Sequence, residues 1–413
     1  MTQIDKKIEL LAPVGNFEKL EIAVHYGADA VYLGGKEFSL RNFSGNFTLA
    51  ELEKALGFAH THGVKVYLTC NVFLRNSEQT AVADYLQSVG DLGIDAVIIS
   101  DPGIIATARK RIPNIPIHLS TQANTTNLNS ALFWQNFGVK RINAARELSL
   151  DEIREIAEAG EIEVEAFVHG AMCVAYSGRC LLSGFMTGRE SNRGMCTHPC
   201  RWNYAVVEET RPGEYYPITE DDRGSYIFNS RDLCMINHIP ELITSGIFSL
   251  KIEGRMKGIN YVASAVKVYR EAIDTFYEKP EGYSVEDYWI HELSNISSRG
   301  LSTGFYFGDP DQILPNFENQ MQQSQYRLAG KVLEAGDSSL TRVEVRNKVF
   351  KGDRVNIIGA SGPPRPDVIK EIIDGTGRSV PYAQPGSMVH MVFDTDCSPL
   401  DLIRRIETDP QDS

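Results

Sequence analysis

The sequence predicts a (β/α)8 TIM-type barrel of the α/β class followed by a small all-β domain, and three observations carry that prediction. Short apolar, β-branched segments alternate with amphipathic stretches over most of the chain. One phrase, a helix closing on glycine and running straight into a strand, recurs in HYGADAVYLG, THGVKVYLT and DLGIDAVIIS. From Tyr326 the hydrophobic period changes to two, the pattern of antiparallel strands without intervening helices.

The strand candidates, in order, are Ile8–Leu11, Ala30–Leu33, Lys65–Thr69, Ala96–Ile99, Ile117–Ser120, Arg141–Ala144, Glu165–Val168 and Ser249–Ile252. Between them lie amphipathic helices such as Phe17–Tyr26, Leu49–His60, Gln79–Leu92 and Asp151–Ala159. Gly27, Gly63, Gly93 and Gly160 suit the position just past a helix end, where the backbone turns left-handed. A doubly wound open sheet is the alternative. It is disfavoured because LLAPVGNFEKL, after the first strand, lacks the glycine pattern of a dinucleotide site. The barrel is assigned residues 1–290, with a Cys-rich insertion after the seventh strand at 169–248. A long helix, Asn260–Tyr277, ends it, and a polar connector covers 291–325. The small β-domain covers 326–400, built on GKVLEA, TRVEVRN, GDRVNIIG and SMVHMVF. A tail covers 401–413, with TDPQDS expected to be disordered.

The chain has 413 residues, enough for one large domain and a smaller one. Its formal net charge of −13 argues against a broadly basic, nucleic-acid-coating surface, though not against a local basic cleft. The N-terminus MTQIDKKIELLAPVG has no signal-peptide pattern, and no run reaches the length of a membrane span, so a cytoplasmic location is expected.

In a barrel, chemistry sits at the C-terminal ends of the strands. Cys70, Asn71, Ser100, Asp101, Gln122, Arg146, Glu147, His169, Lys251, Glu253 and Arg255 all fall there. In KIEGR, Lys251, Glu253 and Arg255 alternate and could converge on one side. They read either as an ion-pair network closing the last strand or as an anion clamp, with Arg146 and Arg41 adding to it. On the second reading Arg255 matters for substrate rather than for folding. His169 reads as an orienting or metal-binding group, or equally as a satisfied structural residue.

Five of the seven cysteines cluster: Cys173, Cys180, Cys196, Cys200 and Cys234, with Cys70 and Cys397 outside the group. In a reducing cytosol such a group reads as metal ligands rather than disulfides. A zinc ribbon would use CxxC knuckles, and the chain has none. The wide, irregular spacing fits an iron–sulfur cluster held by several loop segments better, with buried free thiols as the plain alternative. No GxSxG, HExxH or P-loop occurs, and Ser177 in AYSGRC has no identifiable triad.

EAFVHGAMCVAYSGRCLLS resembles the signature of the collagenase-like peptidase family, the thirty-second of those with unknown catalytic type. The opening ELLAPVGNFEKLEIAVHYGADAVYLG, then STQANTTN, NSRDLC and SLKIEGRMK, are similar to the same family, so the likeness spans nearly the whole chain. It is most similar to the branch that hydroxylates tRNA. That likeness implies conversion of wobble uridine to 5-hydroxyuridine, with prephenate as co-substrate and dependence on iron–sulfur biogenesis. Sister branches imply hydroxylation of a ribosomal RNA cytidine or oxygen-independent ubiquinone synthesis. The ubiquinone branch implies a [4Fe-4S] cluster on four cysteines, spaced as Cys173, Cys180, Cys196 and Cys234 are here, and Cys200 is an additional thiol that could take the third or fourth place in the set. A protease and a cluster-carrying assembly subunit are the rival classes. The implied partners are tRNA and prephenate, with no membrane, and a homo-oligomer stays open. Gln122, Arg146 and Arg41 are the candidate substrate-binding residues, and His169, Lys251, Glu253 and Arg255 the candidate catalytic ones. Trp202 and Tyr204 are candidate stacking platforms for a base drawn out of its stack.

Overall fold

A computed structural model describes residues 7–40, 45–173, 176–199, 206–207, 215–216, 220–221, 224–225, 231–297, 300–308, 326–335 and 340–407. Seven parallel strands follow one another around a barrel: β1 (Glu9–Pro13), β2 (Ala30–Gly34), β3 (Lys65–Cys70), β4 (Ala96–Ile99), β5 (Ile117–Leu119), β6 (Arg141–Asn143) and β7 (Glu163–Gly170). The short β8 (Asp232–Cys234) runs antiparallel to the end of β7. The ring closes through β9 (Ser249–Ile252), which pairs in parallel with both β7 and β1. The expected strand segments are therefore the barrel strands, and the fold is a TIM-type barrel with a separate all-β sheet domain after it.

Helices fill the connections: α1 (Phe17–His25), α2 (Leu49–Thr61), α3 (Gln79–Asp91), α4 (Pro102–Arg111), α5 (Leu128–Asn136), α6 (Leu150–Ala159), α7 (Leu182–Thr187), α8 (Ile239–Thr244), α9 (Ile259–Glu278) and α10 (Asp287–Ile296). Their starts are written in the sequence. Thr48 with Glu51 and Ser149 with Glu152 form capping boxes, and the Asp101 carboxylate accepts from the amides of Gly103 and Ile104. Gly27, Gly63 and Gly93 take the left-handed conformation past their helices. Gly160 does not. It is extended, φ −139°, because the chain leaves α6 directly toward β7 without a left-handed reversal.

Strand alternation divides the core in two. Leu10, Ala12, Val31, Leu33, Val66 and Leu68 face the helices. Leu11, Ala30, Tyr32, Tyr67, Ala96 and Ile98 pack together as a separate cluster inside the barrel.

The connector is more ordered than its composition suggests. Leu301–Ser302 forms β10 beside β8, while residues 309–325 lie outside those described. The second domain is a seven-stranded sheet of β11 (Tyr326–Ala335), β12 (Leu340–Val345), β13 (Arg354–Ile358), β14 (Arg365–Val368), β15 (Glu371–Ile373), β16 (Met388–Val392) and β17 (Leu402–Ile406). The tail expected from 401 instead contains β17. β17 lies inside the sheet, hydrogen-bonded to β11 and β13. Its polar letters hid it, because Arg404 is buried through an ion pair rather than exposed. TDPQDS lies outside the described residues.

Candidate active site at the barrel mouth

Beneath the mouth, the barrel interior carries charge. Glu9, Arg141 and Glu163 begin their strands, and Arg141 reaches Glu9 at 2.7 Å and Glu163 at 2.8 Å. Glu165 lies 3.5 Å from Arg141 and accepts from Lys251 Nζ at 2.7 Å. Tyr67 donates to Glu9 at 2.7 Å. Burial pushes the Glu9 carboxyl up, but the Arg141 charge and these hydrogen bonds outweigh it and hold the group below its ordinary value. Buried charges so paired avoid the large cost of an isolated ion.

Above this network opens a cavity of about 280 Å³. It is lined from the strand ends by Asn71, Gln122, Arg146, Lys251, Glu253 and Arg255, and from the segment after β7 by Cys173, Cys180 and Cys196. Arg146 lies over the Phe167 ring and 3.6 Å from Glu253. Lys251 lies over the Tyr32 ring at 4.4 Å. Arg255 is buried, donating to Thr69 Oγ1 at 2.7 Å, to Ser39 Oγ at 3.1 Å and to the Leu40 carbonyl. Its guanidinium thus holds the loop after β2 to β3 as well as lining the cavity, so it is engaged in the fold itself. Gly254 makes the turn between Glu253 and Arg255 possible. It has φ +157°, and a Cβ there would enter the Tyr261 ring.

Four contacts hold the cysteine-bearing segment over the mouth. The Glu147 carboxylate accepts from Ser177 N at 2.6 Å and Ser177 Oγ at 2.5 Å, with Ser177 left-handed at φ 42°. Arg179 donates to the Gln122 carbonyl at 2.7 Å. Arg193 grips Glu78 at 2.6 Å, and Arg75 meets Glu190 at 2.9 Å.

The remaining candidates stand apart. His169 is buried, its ring packed against Tyr261 and Tyr269, and it is not among the residues lining the cavity. Burial is the main cause that lowers its pKa to about 4, so the imidazole is neutral. Cys234, its partner across β8, is buried near Tyr269, and burial raises its thiol pKa. Burial pushes the Cys70 thiol up to about 12, and Cys70 faces the helix-side core. Asp101 is spent on the α4 cap. Arg41, Cys200, Trp202 and Tyr204 lie outside the described residues.

Sequence reasoning missed Tyr32, Thr69, Asn143 and His198, which also line the cavity. Thr69 and Asn143 were legible as polar side chains near the ends of apolar strands. His198 stands two residues after Cys196 and donates its amide to that sulfur at 3.4 Å.

The donor set, three thiols on one cavity, suits a soft metal centre. Among the described residues, however, no three His, Cys, Asp or Glu side chains stand close enough together to hold one ion. Among them, too, no helix is long and apolar enough to cross a membrane.

The family model for peptidase family U32 matches residues 15–316, and that for the family's C-terminal domain matches 324–404. The chain belongs to peptidase family U32. Among its relatives is tRNA hydroxylation protein P1 of Bacillus subtilis, 41% identical over 404 residues, covering 97% of this chain and 96% of that one. The tRNA hydroxylation protein P of Escherichia coli is 36% identical over 397 residues, covering 86% of this chain and 87% of that one. The 23S rRNA 5-hydroxycytidine C2501 synthase of the same organism is 35% identical over 285 residues, covering 68% of this chain but 41% of that one.

Proposed function

We propose that this U32 protein is an RNA-modifying hydroxylase that converts wobble uridine of tRNA to 5-hydroxyuridine in the cytoplasm, with prephenate as co-substrate and a [4Fe-4S] cluster. One observation carries the reading: thiols, cations and amide side chains gather in a single cavity at the barrel mouth. The near full-length relatives named as tRNA hydroxylation proteins support the same direction.

Cys173, Cys180 and Cys196 would hold the cluster, with Cys234 or Cys200 as the fourth thiolate. The cluster, when bound, supplies one-electron redox chemistry. The chain's own residues do the rest. Arg146 and Lys251 present positive charge to a dicarboxylate such as prephenate. Gln122, Asn71 and Asn143 offer amide groups to the edge of a base drawn into the cavity. The aromatic rings of Tyr32 and Phe167 exclude water around Lys251.

Two measurements test this. tRNA from a strain lacking the gene should lose 5-hydroxyuridine and regain it on complementation. An unchanged nucleoside profile with loss of 5-hydroxycytidine from ribosomal RNA would move the substrate to the rRNA class. Protein purified without oxygen should carry iron and sulfide at about four each per chain. Stoichiometric zinc without iron would sink the cluster.

A further inference from the structure

The segment that covers the barrel mouth exposes apolar side chains to solvent. Phe185 on α7 is 92% exposed and Leu181, just before it, 80%. Tyr176, Met186 and Met195 of the same segment are exposed as well. Large apolar side chains exposed together in one short segment mark a contact site. Its electrostatics are the reverse of the chain's. Between Cys173 and Cys200 the charged residues are Arg179, Arg189, Arg193 and a single acid, Glu190, in a chain of net charge −13. Arg179 and Arg189 of the same segment are exposed. The same segment turns Cys180, Leu182 and Cys196 toward the cavity, so the outer surface and the site are two sides of one short stretch.

From this placement we infer that α7 and its flanks dock single-stranded RNA. The nucleotides beside the modified one would rest here while that base enters the mouth. An exposed aromatic ring offers a stacking face to any base, and guanidinium groups at its sides meet the phosphates. A cationic, aromatic rim on an acidic chain steers a polyanion to a place where its base can reach the cavity. A neutral protein partner would use the apolar residues but leave the exposed Arg189 unexplained. The inference rests on the hydroxylase reading and adds the surface by which the substrate is held.

The test is binding of an unmodified anticodon stem-loop, with uridine at the wobble position, to the full chain. Phe185→Ala should weaken it about tenfold with an unchanged melting temperature. Arg189→Gln should reduce the slope of log affinity against log salt by about 0.7, the loss of one single-strand phosphate contact. Phe133→Ala removes another exposed ring, on α5 and outside the cavity lining, and should change neither. If the wild type binds and Phe185→Ala binds equally well, the docking surface is wrong while the hydroxylase reading stands. A change in sedimentation of Phe185→Ala with no change in RNA affinity reassigns the patch to self-association and overturns the inference. A wild type that does not bind the stem-loop overturns both.

Discussion

Arg255 shows how one side chain joins folding to the site. Its guanidinium lines the cavity and at the same time holds Thr69 of β3 and Ser39 and the Leu40 carbonyl of the loop after β2. Arg255→Ala would leave buried acceptors unmet, so it should cost about 2–3 kcal/mol in urea unfolding as well as activity. Loss of activity at full stability would return Arg255 to a purely substrate-directed role. His118 carries a second residue-scale consequence. It is buried on β5 against Tyr67, and its pKa is pushed well below the ordinary 6.5, first by burial and then by the charges of Arg141, Lys251 and Lys65. The folded state therefore refuses a proton that the unfolded chain accepts. The stability this provides is complete above pH 6.5 and is lost as pH falls below it, by about 1.4 kcal/mol per unit. Urea midpoints at pH 7.5 and 5.5 should drop more for wild type than for His118→Gln, and parallel drops would refute the assignment. The letters alone placed Lys251, Glu253 and Arg255 at one mouth by alternation. Their partners could not be read that way, because Glu165 and Thr69 come from other strands and meet them only when the barrel closes.

At the scale of elements, the cysteine segment depends on ties rather than on its own core. α7 is six residues long and buries only Ser183. What fixes the segment is Glu147, from the loop before α6, holding Ser177 by both amide and hydroxyl. Glu147→Ala should open the segment locally while leaving the barrel's melting temperature within about 2 °C. Trypsin cleavage after Arg179 should then speed up several-fold. Unchanged cleavage would mean that the ties of Arg179, Arg193 and Arg75 hold the segment without Glu147. The barrel elements were legible because helix caps and strand runs are local signals. β8 and β10 were not: each is two or three residues long and exists only by pairing with β7 or with the other. Gly160 was misread for a related reason, since a glycine after a helix also suits an extended exit.

At the scale of the whole molecule, the two domains meet through buried polar groups rather than a flexible linker alone. Arg404 of β17 donates to Glu292 of α10 at 2.8 and 3.0 Å, to Asn260 of α9 at 2.6 Å and to Ser264. Tyr26, just past α1, donates to the Ile358 carbonyl at 2.7 Å, and Lys331 meets Glu18 at 2.7 Å. Ile358 and Leu402 belong to the barrel's hydrophobic core although they sit in the second domain's sheet. Such a joint predicts one cooperative unfolding transition for both domains. Removing one member of a buried pair leaves the other charge unpaired, typically at 3–5 kcal/mol, whereas removing both costs far less. Glu292→Leu should therefore split the calorimetric trace into separate transitions for the barrel and the β-domain, with Arg404 and the nearby buried Lys267 left facing a lost carboxylate. The double variant Glu292→Leu with Arg404→Leu should restore much of the coupling through apolar contact. If the double variant is as split as the single one, the pair itself, and not the avoidance of an unpaired charge, is what joins the domains.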